Sequence, residues 1–123
     1  MNQHYKNVVS CVGLTLGLYG LALLGSSSIR AQAPNERSVS GNHFEFSPSK
    51  IEVQKDDIVK ITFTAVDIPH SFTIDKYRIS KRAAAGQSVT FEFRADQAGT
   101  FDFYCNLTQD DRCRTMKGQL IVK

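Results

Sequence analysis

The feature that most constrains this chain is a strict alternation of apolar and polar residues, repeated in short runs with turn residues between them. Val59, Ile61, Phe63 and Ala65 fall on one face of an extended run, with Lys60, Thr62 and Thr64 on the other. Val89, Phe91 and Phe93 alternate with Thr90, Glu92 and Arg94, and Phe101, Phe103 and Cys105 with Thr100, Asp102 and Tyr104. Shorter alternations run over His43–Phe46 and Ile51–Gln54, and His70–Ile74 and Gly118–Lys123 read as two further strands. Ser47-Pro48-Ser49, Lys55-Asp56-Asp57 and Ala98-Gly99 supply the turns. Successive side chains of a strand point to opposite faces, so each run buries one side and wets the other. Several such runs at close spacing predict an all-β, antiparallel sandwich of Greek-key type. No segment after Pro34 carries a sustained helical period; Lys76–Gly86, with its three consecutive alanines, is expected to hold one helical turn inside a connection. Phe44, Phe46, Ile51, Val53, Val59, Ile61, Phe63, Val89, Phe91, Phe93, Phe101, Phe103, Leu120 and Val122 form the expected core. Each contributes roughly 1.5–3 kcal/mol when fully buried.

Residues 1–33 have a different character. Lys6 precedes an apolar run from Val8 to Leu24, Ser26-Ser27-Ser28 follows, and Ala31-Gln32-Ala33 has the small-x-small form of a cleavage site. The segment reads as a secretory signal peptide or, if uncut, as an N-terminal anchor, since Pro34 hinders cleavage directly after Ala33. The run is at the short end of the ~20 apolar residues that span a bilayer. Residues 34–38 read as a polar linker and 39–123 as a single domain. Export places that domain in the periplasm or outside the cell, where disulfides persist. Membrane contact is expected only through the N-terminal segment. Once Lys6 and Arg30 are set aside, 13 basic residues face 12 acidic ones. This near-neutral balance argues against nucleic acid as a partner, which would require a clear cationic surplus.

Four side chains carry metal-binding chemistry: His70, Cys105, Cys113 and Met116. The last three fall between a strand ending at Cys105 and one starting near Gly118, so a single loop can gather them around one point. Imidazole, thiolate and thioether together suit copper, above all Cu(I). His43 and Glu45 face away from Phe44 and Phe46 by alternation and have weak claims as extra ligands. Lys76, Arg78, Lys81, Arg82, Arg112, Arg114 and Lys117 form either a solvated surface or a basic rim for an acidic redox partner. No Ser/His/Asp pattern or phosphate-binding glycine loop is present, so no enzymatic activity is expected.

The stretches Phe46-Ser47-Pro48, Ile51-Glu52-Val53, Val66–Ile74 (with Pro69-His70-Ser71-Phe72), Ala98–Cys105 and Met116–Val122 resemble the cupredoxin family, in particular the cupredoxin domain of cytochrome oxidase subunit two and its mononuclear relatives. The resemblance covers His43 to Lys123. It implies His70 as the first imidazole ligand, Cys105 as the thiolate and Met116 as the axial thioether. Where the family has its second histidine, separated from the cysteine by seven intervening residues, this chain has Cys113. The position of the second cysteine in binuclear centres holds Gln109, so the resemblance implies one copper ion rather than two.

Three readings of the cysteine pair stand open. Cys105 and Cys113 can both ligate copper with His70 and Met116, making the protein a carrier in electron transfer or copper handling, with a redox protein or a copper donor or acceptor as partner. They can instead form a disulfide that staples a metal-free structural or interaction domain. They can also cycle between the two states.

Overall fold

The computed structural model describes residues 32–123. The expected signal or anchor segment lies outside the described residues apart from its last two. Nine strands run in chain order: β1 (Asn35–Asn42), β2 (Glu45–Ser47), β3 (Lys50–Val53), β4 (Ile58–Ala65), β5 (His70–Ile74), β6 (Ile79–Ala83), β7 (Ser88–Arg94), β8 (Gly99–Tyr104) and β9 (Lys117–Val122). Short 3₁₀ turns occupy Asp75–Tyr77 and Asp111–Thr115. The strands form two sheets, β2-β1-β4-β7 and β3-β9-β8-β5-β6, and make a Greek-key sandwich. Among the described residues, no helix is long and apolar enough to cross a membrane.

Alternation decides which side of each strand is inside. Along β4 the pattern is regular: Val59, Ile61, Phe63 and Ala65 are buried while their neighbours are half-buried. The two sheets meet at Phe72 of β5. Its ring lies 4.6 Å from Phe103 of its own sheet, and 5.8 and 5.5 Å from Phe63 and Phe91 of the other. Such contacts add directional aromatic packing to simple burial. Ten of the fourteen expected core residues are buried; Phe44, Val89, Phe93 and Phe101 are only partly so and pack on the margin. Val39, Ala65, Phe72, Ile74, Ala83 and Ala95 complete the core alongside the sulfur residues.

The structure corrects three sequence expectations. Residues 35–38 are not a linker: they open β1, which pairs in parallel with β4 from Asn35↔Val59 to Gly41↔Ala65. Their polar side chains lie on a solvated surface of the sheet and so carry no hydrophobic signature. The sandwich is also not purely antiparallel, because β3 pairs in parallel with β9 as well. Finally, the turn expected within Lys76–Gly86 sits at Asp75–Tyr77, and Ile79–Ala83 is instead an edge strand bonded to β5. Exposed Ser80, Lys81 and Arg82 give that edge the charge that discourages further strand pairing.

Gly118 shows how closely β9 packs. A Cβ at this position would lie 2.7 Å from the Ser49 carbonyl oxygen and would run into the Phe103 ring. Gly118→Ala is therefore expected to destabilise the domain by about 1–3 kcal/mol through overpacking. Urea unfolding of the oxidised protein measures this, and an unchanged midpoint would contradict it.

Candidate metal centre

His70 opens β5 and is completely buried. The loop before it bends at Val66, Asp67 and Ile68, and Asp67 lies against the ring: Asp67 Oδ1 is 2.7 Å from His70 Nε2. The same carboxylate accepts the backbone N–H groups of His43 and Ile68, at 3.0 and 2.8 Å. Burial alone would raise the Asp67 carboxyl, but the donors of His43, His70 and Ile68 outweigh it and hold the group well below the usual carboxylate range. An ionised carboxylate only accepts, so Nε2 carries the proton. In the neutral ring, Nδ1 is then left with a bare lone pair. That nitrogen is buried and has no hydrogen-bond partner among the described residues. A buried polar atom without a partner is costly and uncommon.

The ring is closely enclosed. Phe44 meets it edge-on, with centroids 5.7 Å apart. A Cβ at Gly41 would fall 3.2 Å from His70 Cδ2, so β1 approaches the imidazole as only glycine comfortably allows. His43 and Phe44 form the β1–β2 turn with φ of 51° and 61°. Non-glycine residues pay strain in that left-handed region, and the strained turn sets Phe44 over His70. Arg112 then lies over the outer face of Phe44, 4.2 Å from its centroid.

The sulfur residues come to the same end of the sandwich. Cys105 follows β8 and is fully buried; Cys113 sits in the 3₁₀ turn before β9 and is 3% exposed. They are joined as a disulfide, with Cα atoms 5.3 Å apart. The N–H of Ser71, next in the chain to His70, donates to Cys105 Sγ at 3.4 Å. Met116 is buried, and its carbonyl accepts the Cys105 N–H at 3.3 Å. All four candidate ligands are thus within the core at one end. With the sulfurs bonded to each other, no group of three His, Cys, Asp or Glu side chains among the described residues is arranged to hold a metal ion.

In the sequence, the residue types of Asp67 and Asn106 carry no sign of a place at this site, and Phe44 reads as core. Asn106 locks Cys105 to β5: its N–H donates to Ser71 Oγ at 2.8 Å, Ser71 Oγ donates to its side-chain oxygen at 2.7 Å, and its amide reaches Ser80 Oγ at 2.9 Å. The available sign for Asp67 was its place three residues before His70, from which a bent segment can return the carboxylate to the ring. His43 and Glu45 are exposed, but His43 and Phe44 form the β1–β2 turn rather than the start of an alternating strand, so the exposure of His43 follows from that turn. Of the proposed basic rim, Arg112 pairs with Asp110 at 2.9 Å.

The family model for the cupredoxin-like domain matches residues 15–122. Auracyanin A, a blue copper protein from Chloroflexus aurantiacus, superposes with a TM-score of 0.63 at 16% identity, over 74% of this chain and 100% of that one. The metal-binding domain of the Streptococcus pneumoniae D39 Cu(I)-exporting P-type ATPase CopA, solved with Cu(I), gives 0.64 at 16% identity, over 78% and 91%. Subunit II of cytochrome c oxidase, captured as a mixed disulfide intermediate with a thioredoxin-like protein, gives 0.61 at 14% identity, over 80% and 87%. At these identities the likeness is one of fold. No curated protein matches the sequence.

In the metal-free protein, the Asp67 carboxylate stabilises the fold while it is ionised. Its pKa is depressed on folding, so this contribution is complete above about pH 4, the unfolded value, and is lost as pH falls toward the folded one. Asp67→Asn is therefore expected to be less stable than the parent at pH 7, with the gap narrowing below pH 4. Denaturation midpoints across pH 2–7 check this; a gap independent of pH would contradict it.

Proposed function

The chain belongs to the cupredoxin-like domain family, and on that premise we propose that it is an exported copper-handling protein that binds one Cu(I) ion when its cysteine pair is reduced. His70 Nδ1, Cys105, Cys113 and the Met116 thioether are the ligands. The observation that carries this reading is the bare, buried Nδ1 of His70, placed beside the strand residue that bonds Cys105 Sγ. Reduction supplies what the disulfide withholds, two thiolates. Copper bound there would provide a soft, one-electron redox centre.

The surrounding residues have defined tasks. Asp67 fixes the tautomer and orientation of His70, the usual work of a carboxylate behind a ligating imidazole. Ser71 N–H and the Asn106 network hold Cys105 in place. Phe44, backed by Arg112, closes the site to water. Two thiolate ligands in place of the family's one favour Cu(I) and lower the copper potential, which favours carriage over fast electron transfer. The protein is accordingly a carrier rather than an enzyme. Its partners are a copper donor or acceptor and a thiol–disulfide protein of the kind seen with the oxidase subunit. The N-terminal segment directs export to the periplasm or beyond and anchors the protein if uncut.

A second reading is favoured by the disulfide itself: a metal-free interaction domain stapled by Cys105–Cys113, a bond of a class worth roughly 2–4 kcal/mol. One titration separates the two. The reduced protein is expected to take up one Cu(I) in competition with a chromogenic chelator, and the oxidised protein none. Cys105→Ser and His70→Ala should each weaken uptake by at least tenfold. Absence of uptake by the reduced, folded protein would leave the staple reading standing.

A further inference from the structure

The two sulfurs of the disulfide have different surroundings. Cys105 is wholly buried at the end of β8, an interior strand bonded to β5 and β9. Cys113 lies in a five-residue surface turn between exposed Arg112 and Arg114. The bonds that shape this turn are local: Cys113 N–H to Asp110 O at 3.1 Å, Met116 N–H to Cys113 O at 3.1 Å, Arg112 N–H to the Asp110 carboxylate at 3.0 Å and Thr115 Oγ to Arg112 O at 2.6 Å. These bonds are internal to the turn; its ties to the rest of the domain are the disulfide itself, the Arg112 contact with Phe44 and the bond from Cys105 N–H to Met116 O. Cys105 cannot move without breaking sheet bonds and the Ser71–Asn106 network. On the other side, Ser71 N–H already donates to Cys105 Sγ and to no sulfur of Cys113.

From this asymmetry we propose that the disulfide is opened in one direction: a dithiol reductant attacks Cys113, and Cys105 is the leaving group. This deepens the copper reading and rests on it for its purpose, because it names the step that frees the ligands. In that step a thiolate of the reductant forms a new S–S bond with Cys113 Sγ. The Cys105–Cys113 bond breaks and its electron pair goes to Cys105 Sγ, where the Ser71 N–H stabilises the resulting thiolate. Exchange proceeds faster when the departing sulfur carries negative charge easily. The second thiol of the reductant then gives its proton to solvent and attacks its own sulfur of the mixed disulfide. Cys113 departs as a thiolate, the reductant becomes a disulfide, and the protein has gained two electrons. Cys113 is thus the specificity-determining residue for the redox partner, with Ser71 as a positioning residue for Cys105.

The test traps the intermediate on the oxidised, otherwise unaltered protein. A thioredoxin whose resolving cysteine is replaced by serine serves as one probe and reduced glutathione as a second. The reaction is quenched in acid, free thiols are alkylated, and the adduct is located by peptide mass spectrometry. The expected result is an adduct at Cys113 with Cys105 alkylated, in at least a tenfold excess over the opposite arrangement, and loss of this preference in guanidinium-unfolded protein. Adduct mainly at Cys105, equal adduct at both sites, or no adduct on the folded protein while the unfolded protein reacts would each overturn the proposal. The Cu(I) titration fails or succeeds independently, since the trap contains no metal.

Discussion

The arrangement of this end of the sandwich depends on how one imidazole is buried. His70 sits inside the sandwich with Nε2 satisfied by Asp67 and Nδ1 satisfied by nothing among the described residues. Leaving a polar atom bare in a core costs on the order of 1–3 kcal/mol. The surrounding structure secures the ring in that costly position. A bend over Val66 to Ile68 lets Asp67 reach back, a left-handed β1–β2 turn seats Phe44 against the ring, and Gly41 removes the side chain that would otherwise fill the space. A ring held this way has one free direction, and the sulfur residues lie at the same end.

The cysteine pair gives that end two states. As a disulfide it ties the loop before β9 to the end of β8 and consumes both sulfur donors. As a dithiol it offers two soft ligands beside a ready nitrogen. The family ordinarily offers one cysteine and a second histidine, a set that cannot close on itself. On the proposed reading, Cys113 in place of that histidine changes the metal preference and, at the same position, makes ligand availability depend on the redox state of the compartment. All four residues are buried, and Phe44, with Arg112 over its own ring, covers His70; on the proposed reading, the 3₁₀ turn is the part that moves when metal is exchanged.

Much of this was legible in the sequence, for identifiable reasons. Strands buried on one face reveal themselves through alternation, so β4, β7 and β8 could be read directly from Val59–Ala65, Val89–Phe93 and Phe101–Cys105. β1 could not, because its residues before Val39 alternate among polar types and its pairing with β4 is a long-range event. β6 was hidden for a similar reason: an edge strand rich in Lys and Arg looks like a solvated connection. The four candidate ligands were legible from residue type and spacing, but the state of Cys105 and Cys113 was not, because ligation and disulfide bonding require nearly the same proximity. Asp67 escaped notice because its role depends on a turn that folds it back over three residues. Phe44 looked like core, yet it is a half-buried cover over His70.

His70 Nδ1 as a metal ligand is the central claim of the copper reading. The most direct measurement is ¹⁵N NMR of the histidine side chains in reduced, isotopically labelled protein, before and after addition of one equivalent of Cu(I), which is diamagnetic. The predicted result is that the His70 Nδ1 resonance moves to a metal-bound position while Nε2 remains protonated and bonded to Asp67, with the His43 resonances unchanged. A His70 ring whose two nitrogens do not respond to copper, or a response confined to His43, would contradict the account.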